Sequence, residues 1–443
     1  MNICVLNGSP RGKYSCTVHT LRYLEKRYPT HGFSYYNVGT RIAQLEKDPR
    51  PAVELMEKSD LIVFSYPVYT FLAPSQLHRF IRVLKEAGAD LKGKFVTQIT
   101  TSKHFYDITA HRYVEENCFD LGAKVIHGLS ADMEDLTTEQ GRGDAEAFFE
   151  YVLWCMEQDV YEQAPPMIPT EWHYVPGAAE TPKKQGKDLV IVADLPREDT
   201  ALAAMIRDFQ AACAYPTRVV NIREYPFKGG CLGCFHCAGD GKCIYTDGFD
   251  SFLREKIQCA DAIVIAFRVQ DHSMGPRFKT YDDRQFCNGH RTVTEGTPFA
   301  YLAAGGLEGE ENLKNVIAAR CEVGHNFLCG IGTDAASVAM AAKRMDYALE
   351  QGYVQPRNFW GVGGMKIFRD LIWMMRGLMK ADHQFYKAHG VYDFPQKQRG
   401  KMLTMCLLGA MVRNPKIRAK MGNKFNEGMA APYEKVVAEA KPK

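Results

Sequence analysis

The sequence predicts an α/β fold with two doubly wound parallel sheets of five strands each, arranged in tandem and followed by a helical extension. Three observations support this prediction. Short apolar runs alternate with helical patterns at the start of the chain, and the same alternation begins again after a proline-rich segment. Beyond the second block the pattern is helical only. Strands that alternate with helices are typical of a parallel sheet with helices on both faces.

The first block, residues 1–161, contains five strand candidates and three helix candidates. The strand candidates are residues 2–7, 33–38, 60–66, 94–100 and 123–129. The helix candidates, in which apolar residues recur with helical spacing, are residues 17–28, 75–88 and 107–122. We expect this block to be one doubly wound domain.

The second block, residues 187–360, repeats the pattern after a segment at 162–186 that holds five prolines and lacks periodicity. Such a segment is typical of a linker. The strand candidates of this block are residues 188–195, 217–222, 261–267, 297–304 and 323–331, and a helix is predicted at 197–213. The last segment, residues 361–443, is predicted to be a basic, Met-rich helical tail.

The composition is that of a globular protein, since 46% of the 443 residues are apolar and 24% are charged. No apolar run is long enough to span a membrane, and the opening MNICVLNGSP indicates a strand entering a turn rather than a signal peptide. We therefore expect a cytoplasmic protein whose scattered cysteines are buried thiols. The net charge of +3 and the lack of a known motif predict no nucleic-acid partner.

A glycine turn follows the first strand in the segment LNGSPRGKYSCT, residues 6–17. Gly8 permits a tight turn, and Ser9 and Arg11 bring a hydroxyl group and a positive charge to the start of a helix. Because the first N–H groups of a helix are free and carry partial positive charge, this turn could bind a phosphate. The dinucleotide fingerprint and the P-loop motif are both absent. A helix with a serine N-cap and no ligand is the alternative.

An aromatic loop follows the third strand in the segment SYPVYTFLAPSQL, residues 65–77. It lies at the carboxyl end of a central strand, where open α/β sheets bind their ligands. Pro67 stiffens this loop, and Tyr69 and Phe71 offer flat apolar surfaces. A loop of this kind beside a phosphate-binding turn suits a flat ring attached to a phosphate. Simple core packing is the alternative.

Together these two segments resemble the flavodoxin-like NAD(P)H-dependent FMN reductases, over about residues 1–160. The resemblance implies two flavodoxin-like domains, FMN as cofactor and NAD(P)H as electron donor. It places Ser9, Arg11, Ser15 and Thr17 on the FMN phosphate, and Cys16 stands where the family often has Asn. It places Pro67, Val68, Tyr69, Thr70 and Phe71 along the flavin ring, and Thr101 and Ser102 of TTSKHF at the flavin edge.

The second block resembles the iron–sulfur flavoprotein branch of the same family. The segment CLGCFHCAGDGKC supplies Cys231, Cys234, Cys237 and Cys243, and Lys279, Asp283 and Arg284 match the later signature of that branch. The resemblance implies a [4Fe–4S] cluster on these four cysteines. Free thiols and a zinc site stay open as alternatives, because the spacing alone is compatible with all three.

The second block has lost the phosphate turn. Where the first block reads LNGSPRGKYSCT, the second reads VADLPREDTALA, with carboxylates that would repel a phosphate. We therefore expect one FMN, bound by the first domain, in a pocket that the second domain completes as an intramolecular pseudo-dimer. A homodimer of the whole chain stays open.

These features predict an FMN-dependent oxidoreductase that transfers electrons from NAD(P)H to a quinone, a flavin, a nitro compound or a protein. The alternative is a non-catalytic electron carrier or redox sensor. No acid–base residue is assigned, although Tyr69 and His104 are candidates near the flavin edge. The tail carries 16 Lys and Arg against 6 Asp and Glu from Met365 to Lys443. It could pack over the other domains or contact anionic lipid as a peripheral surface.

Overall fold

The computed structural model describes residues 1–166, 171–177, 179–393, 399–416 and 424–439. The chain divides into two compact units, Met1–Phe385 and Tyr386–Lys443. Positions 167–170 and 178 of the predicted linker lie outside the described residues, as do parts of the predicted tail.

The first sheet has the strand order β2-β1-β3-β4-β5, with parallel pairing throughout, and β6 also pairs with β4. Its strands are β1 (Asn2–Asn7), β2 (Gly32–Tyr36), β3 (Leu61–Pro67), β4 (Phe95–Ser102), β5 (Lys124–Val125) and β6 (Leu129–Asp132). Its helices are α1 (Cys16–Arg27), α2 (Val38–Leu45), α3 (Arg50–Glu57), α4 (Ser75–Glu86), α5 (Asp107–Asp120) and α6 (Glu139–Gln158). The central strands are buried along almost their whole length, as expected for a parallel sheet covered on both faces.

The second sheet has the order β8-β7-β9-β10-β11, which is the order of the first sheet repeated. Its strands are β7 (Leu189–Ala193), β8 (Thr217–Asn221), β9 (Ala262–Arg268), β10 (Phe299–Ala304) and β11 (Leu328–Gly332). Its helices are α7 (Thr200–Ala212), α8 (Phe249–Lys256), α9 (Pro276–Arg284), α10 (Glu311–Gly324) and α11 (Ala335–Gln351). The predicted tandem of doubly wound, flavodoxin-like sheets is therefore confirmed.

Two predicted strands differ from the structure. The candidate at 123–129 is divided into β5 and β6, and between them the carbonyl of His127 accepts a hydrogen bond from the Thr97 hydroxyl instead of a backbone N–H of the ladder. The first sheet consequently has six strands rather than five. The candidate at 323–331 begins too early, since α10 extends to Gly324 and β11 starts only at Leu328.

The segment between the two sheets is attached to the second one. Trp172 packs against the core of the second sheet, and its indole N–H donates to the carbonyl of Thr333 at 2.8 Å. The ammonium group of Lys183 donates to three carbonyls at the C-terminal end of α7, those of Gln210, Ala211 and Cys213. Trp172 and Lys183 thus attach the later part of this segment to the second domain, whereas Glu162 at its start pairs with Val125 of the first sheet.

The two domains meet through equivalent helices. Helix α4 packs on α9, and α5 packs on α10, and each helix follows the corresponding strand of its own sheet. Two amides also cross the contact, one from α5 and one from α10, at positions that are not equivalent in the two helices. The side chain of Asn117 donates to the carbonyl of Asp271, and that of Asn312 donates to the carbonyl of Thr109. The packing of equivalent helices thus gives the two halves of the chain an approximate two-fold relation.

A buried carboxylate lies at the centre of this contact. Asp283 of α9 accepts the backbone N–H of Ser75, the first residue of α4, at 2.7 Å, and the Thr70 hydroxyl at 3.0 Å. Asp283 is also paired with Lys279, whose ammonium group donates to the carbonyl of Tyr69 at 2.7 Å. A carboxylate at a helix N-terminus is stabilised by the free N–H groups there. The second domain therefore caps a helix of the first and fixes the loop before it.

The tail consists of helices in the described residues: α12 (Phe359–Met374), α13 (Lys380–Ala388), α14 (Arg399–Val412) and α15 (Lys424–Glu439). Helix α12 packs on α10. Among the described residues, none of the helices combines the length and the apolar character that crossing a membrane would require.

We expect Asp283→Ala to lower the free energy of unfolding by about 3 kcal/mol, because it removes the nearest carboxylate of the buried Lys279, leaving Asp282 at 3.6 Å, and removes the cap of α4. Urea denaturation followed by circular dichroism measures this change. Asp188→Ala is the control, since Asp188 forms an exposed pair with Arg218 and such pairs contribute about 0–1 kcal/mol. Equal losses in the two variants would contradict the capping role of Asp283.

Candidate functional site

The turn between β1 and α1 is organised by Asn7, which lies at the end of β1 and is fully buried. Its side chain accepts the N–H of Ser9 at 3.1 Å and donates to the carbonyl of Gly12 at 2.9 Å. Gly12 has a φ of +53°, a conformation that favours glycine. Sequence reasoning missed the role of Asn7, because a polar residue at a strand end is common and only the turn shows what it binds.

This turn brings anion-binding groups to the N-terminus of α1. Ser9 and Ser15 are buried there, and Arg11 is exposed beside them. Ser15 is the N-cap, but among the described groups its side chain accepts no capping hydrogen bond from the helix backbone. The first N–H groups of the helix and the two serines are therefore arranged as a ready site for a phosphate.

The loop after β3 has a strained backbone. Thr70 and Phe71 both have positive φ, at 47° and 70°, although neither is glycine. Tyr69 and Leu72 form a small bridge across this turn, and the hydroxyl of Thr109 donates to the carbonyl of Phe71 at 2.6 Å. Strained backbone of this kind persists where surrounding contacts over-determine it, often at ligand sites.

The turn and the loop line one cavity of about 460 Å³. This volume is in the range of small-molecule and cofactor sites. Eleven of the twelve predicted FMN-binding residues line it: Ser9, Arg11, Ser15, Cys16, Pro67, Val68, Tyr69, Thr70, Phe71, Thr101 and Ser102. The remaining one, Thr17, lies behind the wall, where its buried hydroxyl is hydrogen-bonded to that of Thr101 at 2.7 Å.

The opposite wall of the cavity comes from the second domain and from α12. Phe286 packs edge-on against Tyr69, and Phe368 of α12 packs against Phe105 with ring centroids 4.2 Å apart. Arg320 of α10, paired with Asp282, lies over the Phe71 ring. Sequence reasoning did not single out these residues, because only the contact between the domains brings them to the cavity.

The two candidate residues at the predicted flavin edge differ. Tyr69 lines the cavity, and burial together with the nearby Cys231 and Asp283 raises the pKa of Tyr69 well above its usual value. Its hydroxyl therefore stays protonated and can donate a hydrogen bond. His104 is about half exposed and is paired with Asp107 at 2.9 Å, at the start of α5.

All four clustered cysteines line the same cavity. The loop that carries them contacts the first domain closely: Gln76 donates to the carbonyl of Cys231 at 3.1 Å, and a Cβ on Gly233 would lie 1.8 Å from the Tyr69 hydroxyl oxygen. Burial raises the pKa of Cys231, and it raises the pKa of Cys237 to about 11. Burial therefore favours the neutral thiol form of these two side chains.

The four thiols have the chemistry of a cluster-binding set but not its geometry. Among the described residues, no group of three or more Cys, His, Asp or Glu side chains is placed to hold a metal ion. The thiol of Cys237 instead donates to the carbonyl of Phe286 at 3.1 Å. The iron–sulfur assignment therefore stays a prediction from the sequence, and no electron-transfer step is derived through it.

Arg284 braces the base of the cysteine loop. Its guanidinium group is fully buried and forms a bidentate ion pair with the carboxylate of Asp247, at 2.7 and 2.9 Å. It also donates a hydrogen bond to the carbonyl of Gly229. It also lies over the Tyr245 ring at 4.5 Å. Together with Lys279 and Asp283, this signature residue has a structural role at the contact between the domains.

The equivalent site of the second domain is closed by its own side chains. Asp199 caps α7 by accepting a hydrogen bond from the backbone N–H of Leu202. Its carboxylate also forms a bidentate ion pair with Arg268 at the end of β9. The backbone N–H of Asp194 donates to a carbonyl of β9, as the backbone N–H of Gly8 donates to a carbonyl of β3. The carboxylate of Asp194 forms an ion pair with Arg223. Carboxylates thus occupy the positions at which the first domain could hold a phosphate.

The strand order and the cavity define the class of protein: a doubly wound α/β protein with the flavodoxin strand order and a cavity at the carboxyl ends of its strands. Residues 1–131 match the family model described as NADPH-dependent FMN reductase. Residues 1–131 are therefore similar to this flavodoxin-like family, and the match lies within the first domain.

Three similar proteins illustrate the relation. An iron–sulfur flavoprotein of Archaeoglobus fulgidus is 26% identical over 173 residues, which cover 36% of this chain and 78% of that protein. The structure of an NAD(P)H:quinone oxidoreductase from Methanothermobacter marburgensis is 11% identical and covers 38% of this chain and 99% of its own, with a TM-score of 0.28. The flavoenzyme FerB from Paracoccus denitrificans is 17% identical over 34% of this chain and 97% of its own, also with a TM-score of 0.28. The fold class of this chain is defined by its strand order.

Asp382 of α13 provides a titratable group on the cavity wall. It is buried, accepts the N–H of His290 at 3.2 Å and lies 3.7 Å from the Arg291 guanidinium group. Burial raises the pKa of Asp382 to about 6. Its protonated form therefore stabilises the fold fully below the ordinary pKa of 3.8, and that contribution is lost as the pH rises through 6.

We expect Asp382→Asn to remove this pH dependence, because the amide does not titrate. Between pH 4 and pH 7 the wild type should lose up to about 3 kcal/mol of stability relative to the variant. Thermal unfolding across this pH range measures the difference, with the exposed Asp144→Asn as control. A constant difference between Asp382→Asn and the wild type at all pH values would show that Asp382 does not titrate in this window.

Proposed function

We propose that this protein is an FMN-dependent oxidoreductase that accepts hydride from NAD(P)H and passes electrons to a second substrate. The observation that carries the proposal is the single cavity in which the phosphate turn and the aromatic loop of the first domain face the second domain. The match of residues 1–131 to the NADPH-dependent FMN reductases supports the same cofactor and donor.

The residues of the cavity fit FMN in their chemistry. Ser9, Ser15 and the N-terminus of α1 would hold the phosphate, with Arg11 supplying positive charge. Tyr69 and Phe71 would contact the ring, and Thr101 and Ser102 offer hydroxyl groups beside it. Thr17 would act indirectly, by holding Thr101 through its hydroxyl.

The bound FMN supplies the hydride and electron chemistry of the reaction. The chain binds and orients this cofactor and excludes water from it. Its rigid loop at Thr70 and Phe71 is held from the second domain by Asp283, so the wall should not move during turnover. Apolar rings, among them Phe105, Phe286 and Phe368, cover the cavity and favour a flat acceptor with little charge, such as a quinone or a nitroaromatic compound.

We expect one FMN per chain and expect Arg11→Ala to raise the FMN dissociation constant about 10- to 100-fold, because charge-assisted hydrogen bonds contribute about 1.5–3 kcal/mol. Flavin fluorescence titration of the apoprotein measures both quantities. Arg197→Ala is the matched control, since the two turns contain the same Pro-Arg pair and only the second is blocked by carboxylates. Two FMN per chain, or equal effects of the two variants, would contradict a single site in the first domain.

We expect anaerobic NADPH or NADH to bleach the flavin absorbance within seconds, and menadione to restore it with steady consumption of the nucleotide. Stopped-flow absorbance at about 450 nm follows both steps. Asp188→Ala is a suitable control variant, because its exposed ion pair is outside the cavity. A flavin that resists both nucleotides but is reduced by a ferredoxin or a flavodoxin would instead support a non-catalytic electron carrier.

A further inference from the structure

Helix α14 (Arg399–Val412) differs in its sequence from the other helices that the structure describes. Ten of the eleven residues from Met402 to Val412 are Met, Leu, Cys, Gly, Ala or Val, and the remaining one is Thr404. Charged residues are confined to its first turn and to the segment after it. Its 14 residues span about 21 Å, which is shorter than the hydrocarbon core of a bilayer at about 30 Å.

The apolar side chains of α14 are exposed. Leu403 and Leu407 are 64% and 61% exposed, and Met402, Met405 and Met411 are about half exposed or more. At about 100° per residue these positions are spread around the helix rather than along one stripe. A helix that is apolar on all sides is ordinarily buried in a protein core or in lipid. Within its own compact unit, the described residues leave these side chains of α14 exposed, so they offer an apolar surface to a partner.

The charge around α14 identifies the kind of partner. From residue 394 to residue 426 the chain carries eight Lys or Arg and no Asp or Glu. Lys401 and Arg413, at the two ends of the apolar run, are both exposed. A second copy of the chain would bring eight further cations to the same place, which is unfavourable. An anionic lipid surface offers negative charge for the flanking residues and an apolar interior for the helix.

We propose that α14 anchors this protein to anionic membrane surfaces, with its apolar side chains inserted among the lipid chains and its flanking Lys and Arg residues on the headgroups. The short length of α14 makes this an interfacial anchor rather than a span. The proposal is independent of the cofactor and of the reaction, since none of the α14 residues lines the cavity.

Co-sedimentation of the full-length protein with vesicles tests the anchor. The probes are vesicles of phosphatidylcholine alone and of phosphatidylcholine with 30% phosphatidylglycerol, at about 0.05 and 0.5 M salt. We expect binding to the anionic vesicles at low salt, with at least tenfold weaker partition to the neutral vesicles and clear weakening at high salt, since salt screens the charges. Equal binding to both kinds of vesicle, or none to either, would overturn the proposal.

The variant Leu403→Gln/Met405→Gln/Leu407→Gln removes the apolar contact but keeps good helix formers. It should lower partition to anionic vesicles at least tenfold while FMN content and helical circular dichroism stay unchanged. Met340→Gln, at an equally exposed methionine of α11, is the matched control and should bind as the wild type does.

The charge is tested separately by Lys401→Glu/Arg413→Glu, with Lys26→Glu/Lys92→Glu as a control of equal charge change. We expect only the first pair to lower partition to anionic vesicles, by about tenfold or more. Wild-type partition in the triple Gln variant would overturn the proposal. So would a dimer, seen by sedimentation velocity, that the triple Gln variant dissociates while vesicle binding is absent.

Discussion

The buried carboxylate of Asp283 is the interaction on which the rest of the cavity depends. It caps α4 of the first domain, accepts the Thr70 hydroxyl and holds Lys279, which in turn binds the carbonyl of Tyr69. A buried ion pair is favourable only when further hydrogen bonds satisfy its members, and here the first domain supplies them. The second domain thereby acts on the loop that faces the ligand, although it has lost a phosphate turn of its own.

The two domains show how one backbone can have opposite electrostatics. Both place a strand, a turn and a helix N-terminus in the same order, and both have positive φ at equivalent loop residues, Thr70 and Phe71 in one and Asp271 and His272 in the other. In the first domain the helix N-terminus is left for an anion. In the second, Asp199 fills that role and Arg268 neutralises it. The carboxylate of Asp199 therefore takes the place at the N-terminus of α7 that a bound phosphate would take at the N-terminus of α1.

The cysteine loop forms part of the cavity wall. Cys231 and Cys237 are partly buried beside Tyr69 and Phe286, whereas Cys234 is exposed, and burial raises the pKa of Cys231 and of Cys237. Thiolate ligation of iron would require these protons to leave and the sulfur atoms to converge. The spacing of the four cysteines is compatible with that, and the loop glycines give the backbone freedom, yet their positions serve equally as a neutral wall of the cavity.

The sequence by itself determined the tandem α/β fold, most strands and the first-domain face of the site. This was possible because those features depend on periodicity and on turn chemistry that is local in the chain, as in Ser9, Arg11 and Tyr69. Only the tertiary structure decided the second wall, where Phe286, Arg320 and Phe368 approach from more than two hundred residues away. It also decided that Thr17 supports Thr101, because whether a hydroxyl faces a ligand or another hydroxyl depends on packing between strands and helices, which has no signature in local spacing.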